Sequence, residues 1–223
     1  MSEEPSVSIV IPNYNGKDAL RECLESLRKL NYRNYEVIVV DGGSTDGAPE
    51  MVRREFPEVR LIEAPGTGVD EACNIGIKAA EGEIIVFCLN NDDVVHPDWL
   101  KYIVRALMSS EDIGIVVGKR YRYGTNLIDS AGGFFDILTG NNIARGKGKL
   151  DGPEYNYACE VDYAVVLAVR RELLKRIGLC DTYYSVYYVD TDFSWKVKAA
   201  GYKIIYEPRA IFWHRGSYTT GMF

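Results

Sequence analysis

Short apolar runs alternate with amphipathic stretches through the first half of the chain. The apolar runs are rich in Val and Ile, which is typical of strands whose two faces are both covered. They predict strands at residues 7–11, 36–40, 59–63, 84–89 and 113–117. The stretches between them carry apolar residues at helical spacing and predict helices at residues 17–30, 49–56, 69–80 and 98–108. This alternation predicts an α/β fold with a parallel sheet and right-handed crossovers.

The alternation weakens after about residue 118. Residues 124–157 are rich in Gly, Asn and Tyr without a sustained period, and we expect loops and irregular strands there. Further along, the pattern predicts a buried strand at 161–169, helices at 170–177 and 191–200, and short strands at 203–206 and 210–212. Because no linker, low-complexity run or internal repeat divides the chain, we expect a single domain over residues 1–223.

Composition and charge narrow the classes of function. With 47% hydrophobic and 26% charged residues, the composition is that of an ordinary globular protein. The net charge of −6 argues against a nucleic-acid partner, so any bound phosphate group would be held locally. The longest apolar runs have six residues, against the ~18 that a membrane span needs, so we expect no transmembrane segment. The acidic N-terminus lacks a secretory signal pattern, which predicts residence in the cytosol.

Polar segments follow three of the predicted strands. They are Pro12-Asn13-Tyr14-Asn15-Gly16, Asp-Gly-Gly-Ser-Thr-Asp-Gly at 41–47, and Asn90-Asn91-Asp92-Asp93. Each segment alone is compatible with a turn, since Asn, Asp and Gly favour turns for backbone reasons. Together they would lie at the carboxyl-end edge of the sheet, where open parallel sheets bind ligands. The first segment is not a Gly-X-Gly-X-X-Gly motif and the chain has no P-loop motif, so a nucleotide ligand of another kind is favoured.

Carboxylates in two regions are candidates for the chemistry. Asp92 follows the most apolar strand, and oxygen ligands of this kind suit Mg2+ or Mn2+. His214 ends the last predicted strand, where it either favours Mn2+ as a ligand or is a partly buried structural residue. Asp190 and Asp192 stand near a predicted helix start. They either cap the helix, or Asp190 is a general base whose pKa is raised by burial or by nearby negative charge.

Two further segments allow alternative interpretations. The basic segment Arg-Gly-Lys-Gly-Lys at 145–149 is either a solvated loop or a contact for an anionic substrate. A group of tyrosines before the helix at 191–200 either stacks on an acceptor sugar or packs in the core. The group comprises Tyr183, Tyr184, Tyr187 and Tyr188.

The ordered motifs resemble glycosyltransferase family 2, which has the GT-A fold. The motifs are Val-Ser-Ile-Val-Ile-Pro-Asn-Tyr-Asn-Gly at 7–16, Glu-Val-Ile-Val-Val-Asp-Gly-Gly-Ser-Thr-Asp-Gly at 36–47, Phe-Cys-Leu-Asn-Asn-Asp-Asp at 87–93, Val-Asp-Thr-Asp at 189–192 and His-Arg-Gly-Ser at 214–217. The resemblance covers nearly the whole chain and is closest to the rhamnosyltransferase-like branch. It implies a Rossmann-like, mostly parallel sheet with helices on both faces. It also implies a nucleotide-sugar-binding half at 1–118 and an acceptor and catalytic half at 119–223.

The resemblance also implies a role for individual residues. Asp190 would be the catalytic base, and Asp92, as the last member of an Asp-X-Asp motif, would hold the metal together with His214. The residues implied to bind the nucleotide-sugar are Pro12, Asn13, Tyr14, Asp41, Asn74 and Asn90. The sequence departs from the family pattern at Val189, which replaces a glutamate, and at Asn90, which replaces the first aspartate of the metal motif.

The activity that this resemblance implies is an inverting, metal-dependent hexosyl transfer using Mn2+ or Mg2+. The donor would be a nucleotide-sugar and the acceptor a hydroxyl of a glycan or lipid-linked molecule, in cell-surface glycan or polysaccharide synthesis. The protein would be either free in the cytosol or in peripheral contact with the inner face of the membrane. Two alternatives stay open: a sugar nucleotidyltransferase, which the uncharged first loop disfavours, and a non-catalytic nucleotide-sugar binder, for which Val189 and Asn90 argue.

Overall fold

The computed structural model describes residues 4–184 and 188–216. In the first half, strands and helices alternate as the apolar pattern predicts. Their bounds are β1 Val7–Asn13, α1 Lys17–Leu27, β2 Tyr35–Asp41, α2 Ala48–Glu55, β3 Arg60–Glu63, α3 Val69–Ala79, β4 Ile84–Phe87, β5 Asp93–Val95, α4 Trp99–Leu107 and β6 Ile113–Arg122. All five strands predicted for this half are present, and β5 is an additional one.

The second half combines shorter strands with two helices. Its elements are β7 Ile128–Ser130, β8 Gly133–Asp136, β9 Asn141–Ala144, a 3-10 turn Pro153–Tyr155, β10 Cys159–Val161, β11 Leu167–Arg170, α5 Arg171–Ile177, α6 Val189–Ala199 and β12 Lys203–His214. Strands β8 and β9 form a separate antiparallel hairpin. This half therefore contains more regular structure between residues 124 and 157 than the Gly-rich sequence predicts.

The strands assemble into one central sheet with the order β10-β12-β6-β11-β4-β1-β2-β3. The pairs β4-β1, β1-β2, β2-β3 and β6-β12 are parallel, and β11 runs antiparallel to its neighbours β4 and β6. Strand β5 pairs with the end of β12, and β7 pairs with β6. The predicted α/β class with a mostly parallel sheet is confirmed.

The core has two layers because side chains alternate between the two faces of each strand. On one face, Ile9 and Ile11 of β1 pack in a cluster that also contains residues of α1, α2 and α4. On the other face, Val10 packs in a cluster with residues of α3, α5 and α6. Both faces of the sheet are therefore covered by helices, which explains the unbroken apolar runs in the sequence.

Two strand predictions need correction. The predicted strand at 161–169 is two strands, β10 and β11, which pair with different neighbours. The predicted strands at 203–206 and 210–212 are one strand, β12, whose register against β6 shifts between Glu207 and Ile211. Pro208 lies in the shifted segment and has no N–H to donate, so the regular hydrogen bonding with β6 is interrupted there while the strand continues.

Gly118 allows the irregular segment of β12 to lie close to β6. A Cβ at this position would clash with the backbone carbonyl oxygen of Ala210. We therefore expect Gly118→Ala to destabilise the fold by about 1–3 kcal/mol and to lower the melting temperature by roughly 2–12 °C. The control is Gly152→Ala, whose Cβ would meet only the flexible carboxylate of Glu154. Equal melting temperatures for the two variants would contradict this description of the bulge.

Candidate functional site

The polar segments after β1 and β2 meet at the carboxyl-end edge of the sheet. Strands β1 and β2 are parallel, and their last residues Asn13 and Asp41 are register partners. The Asn13 amide Nδ2 donates to Asp41 Oδ2 at 2.7 Å. The sequence prediction that these two segments share one edge is therefore confirmed by their pairing.

The Asp41 carboxylate organises the turn that follows β2. It accepts hydrogen bonds from the backbone N–H of Gly43 at 3.0 Å and of Ser44 at 2.8 Å, and from the Ser44 hydroxyl at 2.7 Å. The residue is only 1% exposed. Together with the bond from Asn13, these contacts make Asp41 an anchor of the turn, and its predicted bond to a nucleoside stays a prediction.

Asn91 connects this turn to the segment after β4. Its Nδ2 donates to Asn13 Oδ1 at 2.7 Å, so Asn13 bridges Asp41 and Asn91. Residue 16 has to be glycine for the Asn91 side chain to fit, because a Cβ at this position would clash with the Asn91 amide. No local pattern indicates a role for Asn91, because its partner is 78 positions away and only the fold shows that contact.

The other residues predicted to bind the nucleotide-sugar differ in accessibility. Pro12 is buried, whereas Tyr14 is 56% exposed just beyond β1. Asn74 of α3 is buried, and its amide exchanges two 2.9 Å hydrogen bonds with the backbone of Cys180. Asn90 is partly buried, and its backbone N–H donates to Asp93 Oδ2 at 3.0 Å. The Asn74 side chain thus joins α3 to the segment before α6.

Asp92, Asp93 and His214 form a cluster whose oxygen and nitrogen atoms lie within 4.8 Å of one another. Strand β5 places Asp93 directly opposite His214 of β12. His214 Nδ1 is 2.9 Å from Asp93 Oδ1 and 3.3 Å from Asp92 Oδ1. Two carboxylates and an imidazole are a donor set that fits Mn2+ or Mg2+. Asp93 was missed as a candidate ligand because β5, with three residues, has no periodicity to read.

The charge state of His214 reflects its two carboxylate neighbours. Burial lowers its pKa, but the hydrogen bonds to Asp92 and Asp93 outweigh burial and raise the pKa to about 9. The imidazole is therefore protonated at neutral pH in the absence of a cation. A divalent cation at the cluster would take the place of that proton.

Asp190 lies at the start of α6, partly buried. Its Oδ1 accepts hydrogen bonds from the backbone N–H of Thr191 at 2.7 Å and from the Thr191 hydroxyl at 3.3 Å. Burial raises its pKa above the ordinary value of an aspartate, and the bond from the Thr191 N–H partly opposes that effect. Asp192 differs, because its carboxylate forms an ion pair with Lys196 one turn along the helix at 2.9 Å.

The start of α6 lies beside the strand that leads to the Asp92, Asp93 and His214 cluster. Phe193, which follows Asp190 by about one turn of α6, packs edge-to-face on Phe87 at the end of β4, with 4.9 Å between the ring centroids. Burial is the largest influence on the pKa of both Asp190 and His214, and the positive charge of Arg120 also lowers both pKa values. The predicted base and the predicted metal ligands, which are far apart in sequence, are therefore brought to one region.

The described members of the tyrosine group do not belong to the core. Tyr183 is 84% exposed, Tyr188 is 60% exposed and Tyr184 is 37% exposed. Tyr187 lies outside the described residues. Stacking of these rings on an acceptor sugar stays a prediction. Across residues 4–184 and 188–216, no helix has the length and apolar character needed to span a membrane.

Comparison with known proteins gives matches over most of the chain. The uncharacterized protein y4gI of Sinorhizobium fredii is 30% identical over 99% of this chain, and the match spans 26% of y4gI. Glycosyltransferase GlyG of Streptococcus pneumoniae is 32% identical over 61% of this chain and 45% of GlyG. The chain therefore matches less than half the length of these two relatives.

A solved structure shares the fold. The mannosyltransferase PcManGT from Pyrobaculum calidifontis, in complex with GDP-Man and Mn2+, superimposes with a TM-score of 0.70 at 25% identity over 98% of this chain and 59% of PcManGT. The family profile described as Glycosyl transferase family 2 matches residues 8–178, more than half of the chain. On this match, and with the sheet edge and site described above, the chain belongs to glycosyltransferase family 2.

Proposed function

We propose that this chain transfers a sugar from a nucleotide-sugar donor to an acceptor hydroxyl, with inversion and with the help of a divalent cation. The observation that carries this proposal is the Asp92, Asp93 and His214 cluster after β4, the strand against whose end α6 packs through Phe193, about one turn from Asp190. One region thus offers a carboxylate base and a cation site, the two groups that such a transfer uses. The complex of PcManGT with GDP-Man and Mn2+ supports both the donor class and the cation.

In this proposal, the residues after β1 and β2 receive the nucleoside. Asp41 fixes the turn through its four hydrogen bonds, and Asn13 joins that turn to Asn91. The exposed Tyr14 ring is available to pack against a base, and Pro12 precedes it by two residues in β1. We assign the donor to residues 1–118 and the acceptor and catalysis to residues 119–223, within a single domain.

Asp92 and His214 would hold the cation, with Asp93 completing the set. When bound, the ion would act as a Lewis acid for the departing nucleoside diphosphate. The hydrogen bond from the Asn90 backbone N–H orients Asp93, and the pairing of β5 with β12 fixes the distance between the carboxylates and the imidazole. The site is therefore positioned by backbone structure on two sides.

Asp190 would remove the proton from the attacking hydroxyl. A base works best when its pKa is near the working pH, and burial of Asp190 raises its pKa in that direction. The hydrogen bond from the Thr191 N–H to Asp190 Oδ1 fixes the orientation of the carboxylate. A single displacement by the activated hydroxyl would invert the configuration at the anomeric carbon.

The narrower assignments follow from the sequence motifs. We propose a hexosyltransferase of the rhamnosyltransferase-like branch, acting on a glycan or lipid-linked acceptor in cell-surface glycan or polysaccharide synthesis. The placement in the cytosol or at the inner face of the membrane is part of the same proposal. The supporting observations are the motifs at 36–47 and 189–192.

A panel of nucleoside diphosphates and nucleotide-sugars tests the proposed donor site. We expect one base to stabilise the chain in the presence of Mn2+, by about 2.7 kcal/mol when the ligand is at a hundred times its Kd. This corresponds to a rise in melting temperature of roughly 5–10 °C. Excess EDTA should remove most of the shift. The absence of a shift with every base, with and without Mn2+, would contradict the proposal.

A further inference from the structure

Basic side chains from three parts of the chain line a cleft of about 440 Å³ beside His214. They come from β6, from the loop after β9 and from the residue that follows β12. We call this the basic cleft; its lining residues are Arg120, Arg122, Asp129, Lys147, His214, Arg215 and Gly216. Lys147 belongs to the basic segment 145–149 that was noted in the sequence.

The basic cleft carries more positive charge than its own residues neutralise. Arg120 pairs with Asp129 at 2.7 Å, and Arg215 pairs with Glu22. Across the part of the chain that the structure describes, Arg122 and Lys147 have no ion-pair partner. Two positive charges therefore face the cleft without compensation.

An unsatisfied donor points to the same conclusion. Arg215 Nε is buried and has no hydrogen-bond partner among the described residues, whereas Arg120 Nε lies 2.7 Å from Asp129 Oδ2. Buried polar groups are normally satisfied, so the Arg215 guanidinium, which lines the cleft, is suited to an acceptor from outside the chain. Arginine favours phosphate for this purpose because its planar fork can donate two parallel hydrogen bonds.

The basic cleft lies away from the turn after β2, which Asp41 anchors and to which the nucleoside is assigned. Strands β11 and β4 lie between β6 and β1 in the sheet, which puts β6 roughly 14 Å from β1. His214 belongs both to the cleft and to the Asp92, Asp93 and His214 cluster. Strand β9, which leads into the Lys147 loop, contacts the start of α6, because Asn142 Nδ2 donates to Thr191 Oγ1 at 2.6 Å. The cleft therefore adjoins the cluster through His214 and the neighbourhood of Asp190, the proposed base, through the loop after β9. We expect an acceptor to approach from this side.

We propose that the basic cleft binds a phosphate group carried by the acceptor, near the hydroxyl that attacks the donor sugar. This inference rests on the proposed function and names the class of acceptor. The phosphate has two possible sources with the same chemistry: a sugar linked to a lipid through diphosphate, or a phosphorylated glycan. Arg122 and Lys147 supply the charge that selects either of them over a neutral sugar.

The test measures acceptor-side binding separately from donor binding. The chain is first saturated with Mn2+ and the nucleoside diphosphate that binds in the panel. Calorimetry then measures the binding of three probes. They are glucose 1-phosphate, glucose linked through diphosphate to a short prenyl chain, and methyl glucoside. We expect binding of the two phosphorylated probes and none of methyl glucoside. Tighter binding of the prenyl probe identifies a lipid-linked source, and equal binding identifies the phosphate alone.

The decisive measurement uses the double variant Arg122→Ala with Lys147→Ala. We expect it to weaken binding of the phosphorylated probes by about tenfold or more while nucleoside diphosphate affinity stays within about twofold. The matched control is Lys29→Ala with Arg33→Ala, which removes two exposed cations outside the cleft and should change neither.

Three results would overturn the inference. One is equal binding of the phosphorylated probes by the parent and the cleft variant. The second is no binding of either phosphorylated probe by the parent. The third is a tenfold loss of nucleoside diphosphate affinity in the cleft variant, which would assign the cleft to the donor. Failure of the proposed function is recognised separately, because then no nucleotide binds in the panel at all.

Discussion

Replacement of Asp190 by asparagine is expected to reduce sugar transfer about a thousandfold, because asparagine cannot accept the proton of the attacking hydroxyl. The substitution keeps the size of the side chain and an oxygen that can accept the hydrogen bond from the Thr191 N–H. The fold and the donor site, which lies after β1 and β2, should therefore be unaffected. The measurement is the initial rate of transfer, together with the Kd of the nucleoside diphosphate.

The matched control for this variant is Asp192→Asn. Asp192 lies on the same first turn of α6, but its carboxylate is paired with Lys196. We expect this variant to keep most of the activity of the parent. Transfer by Asp190→Asn at a rate close to that of Asp192→Asn would show that Asp190 is not the base.

The second large effect is expected at the cation cluster. Asp92→Asn removes one charged ligand while Asp93 and His214 stay in place. A metal ion contributes several kcal/mol of charge stabilisation in reactions of this type, so we expect turnover to fall on the order of a hundredfold or more. In the parent, excess EDTA should stop turnover, and added Mn2+ or Mg2+ should restore it.

The control for this experiment is Asp18→Asn, because the Asp18 side chain is 79% exposed and pairs only with Arg21 among the described residues. We expect its rate and its response to EDTA to equal those of the parent. Because Asp92 is buried, the melting temperature of Asp92→Asn must be measured as well. Full activity of the parent in excess EDTA would contradict the role of a cation.

The sequence predicts the first half of the fold well for a physical reason. Strands such as β1 and β2 are buried on both faces, so their apolar runs are continuous and easy to recognise. The second half lacks this property. Strand β12 continues through the irregular segment at Pro208, where the register shifts, and β5 has only three residues. Their positions depend on partners far away in the chain, which no local pattern encodes.

The same distinction applies to the site. The candidates Asp92 and His214 are found together because Asp92 directly precedes β5, whose first residue Asp93 pairs with His214 at the end of β12. Asp93 and Asn91 escaped prediction because their roles consist of contacts to His214 and Asn13, which are made only in the folded chain. Asn74 lies where a role was expected, yet its amide is engaged with the backbone of Cys180. Residue type indicates the chemistry of a site, while the fold decides which groups remain available.

Anomalous scattering from crystals grown with Mn2+ and the nucleoside diphosphate locates the cation directly. We expect one strong peak within ligand distance of Asp92 and His214, in contact with the diphosphate, with Asp190 facing the same space. A peak bound elsewhere on the chain, or a diphosphate held away from this cluster, would contradict this expectation.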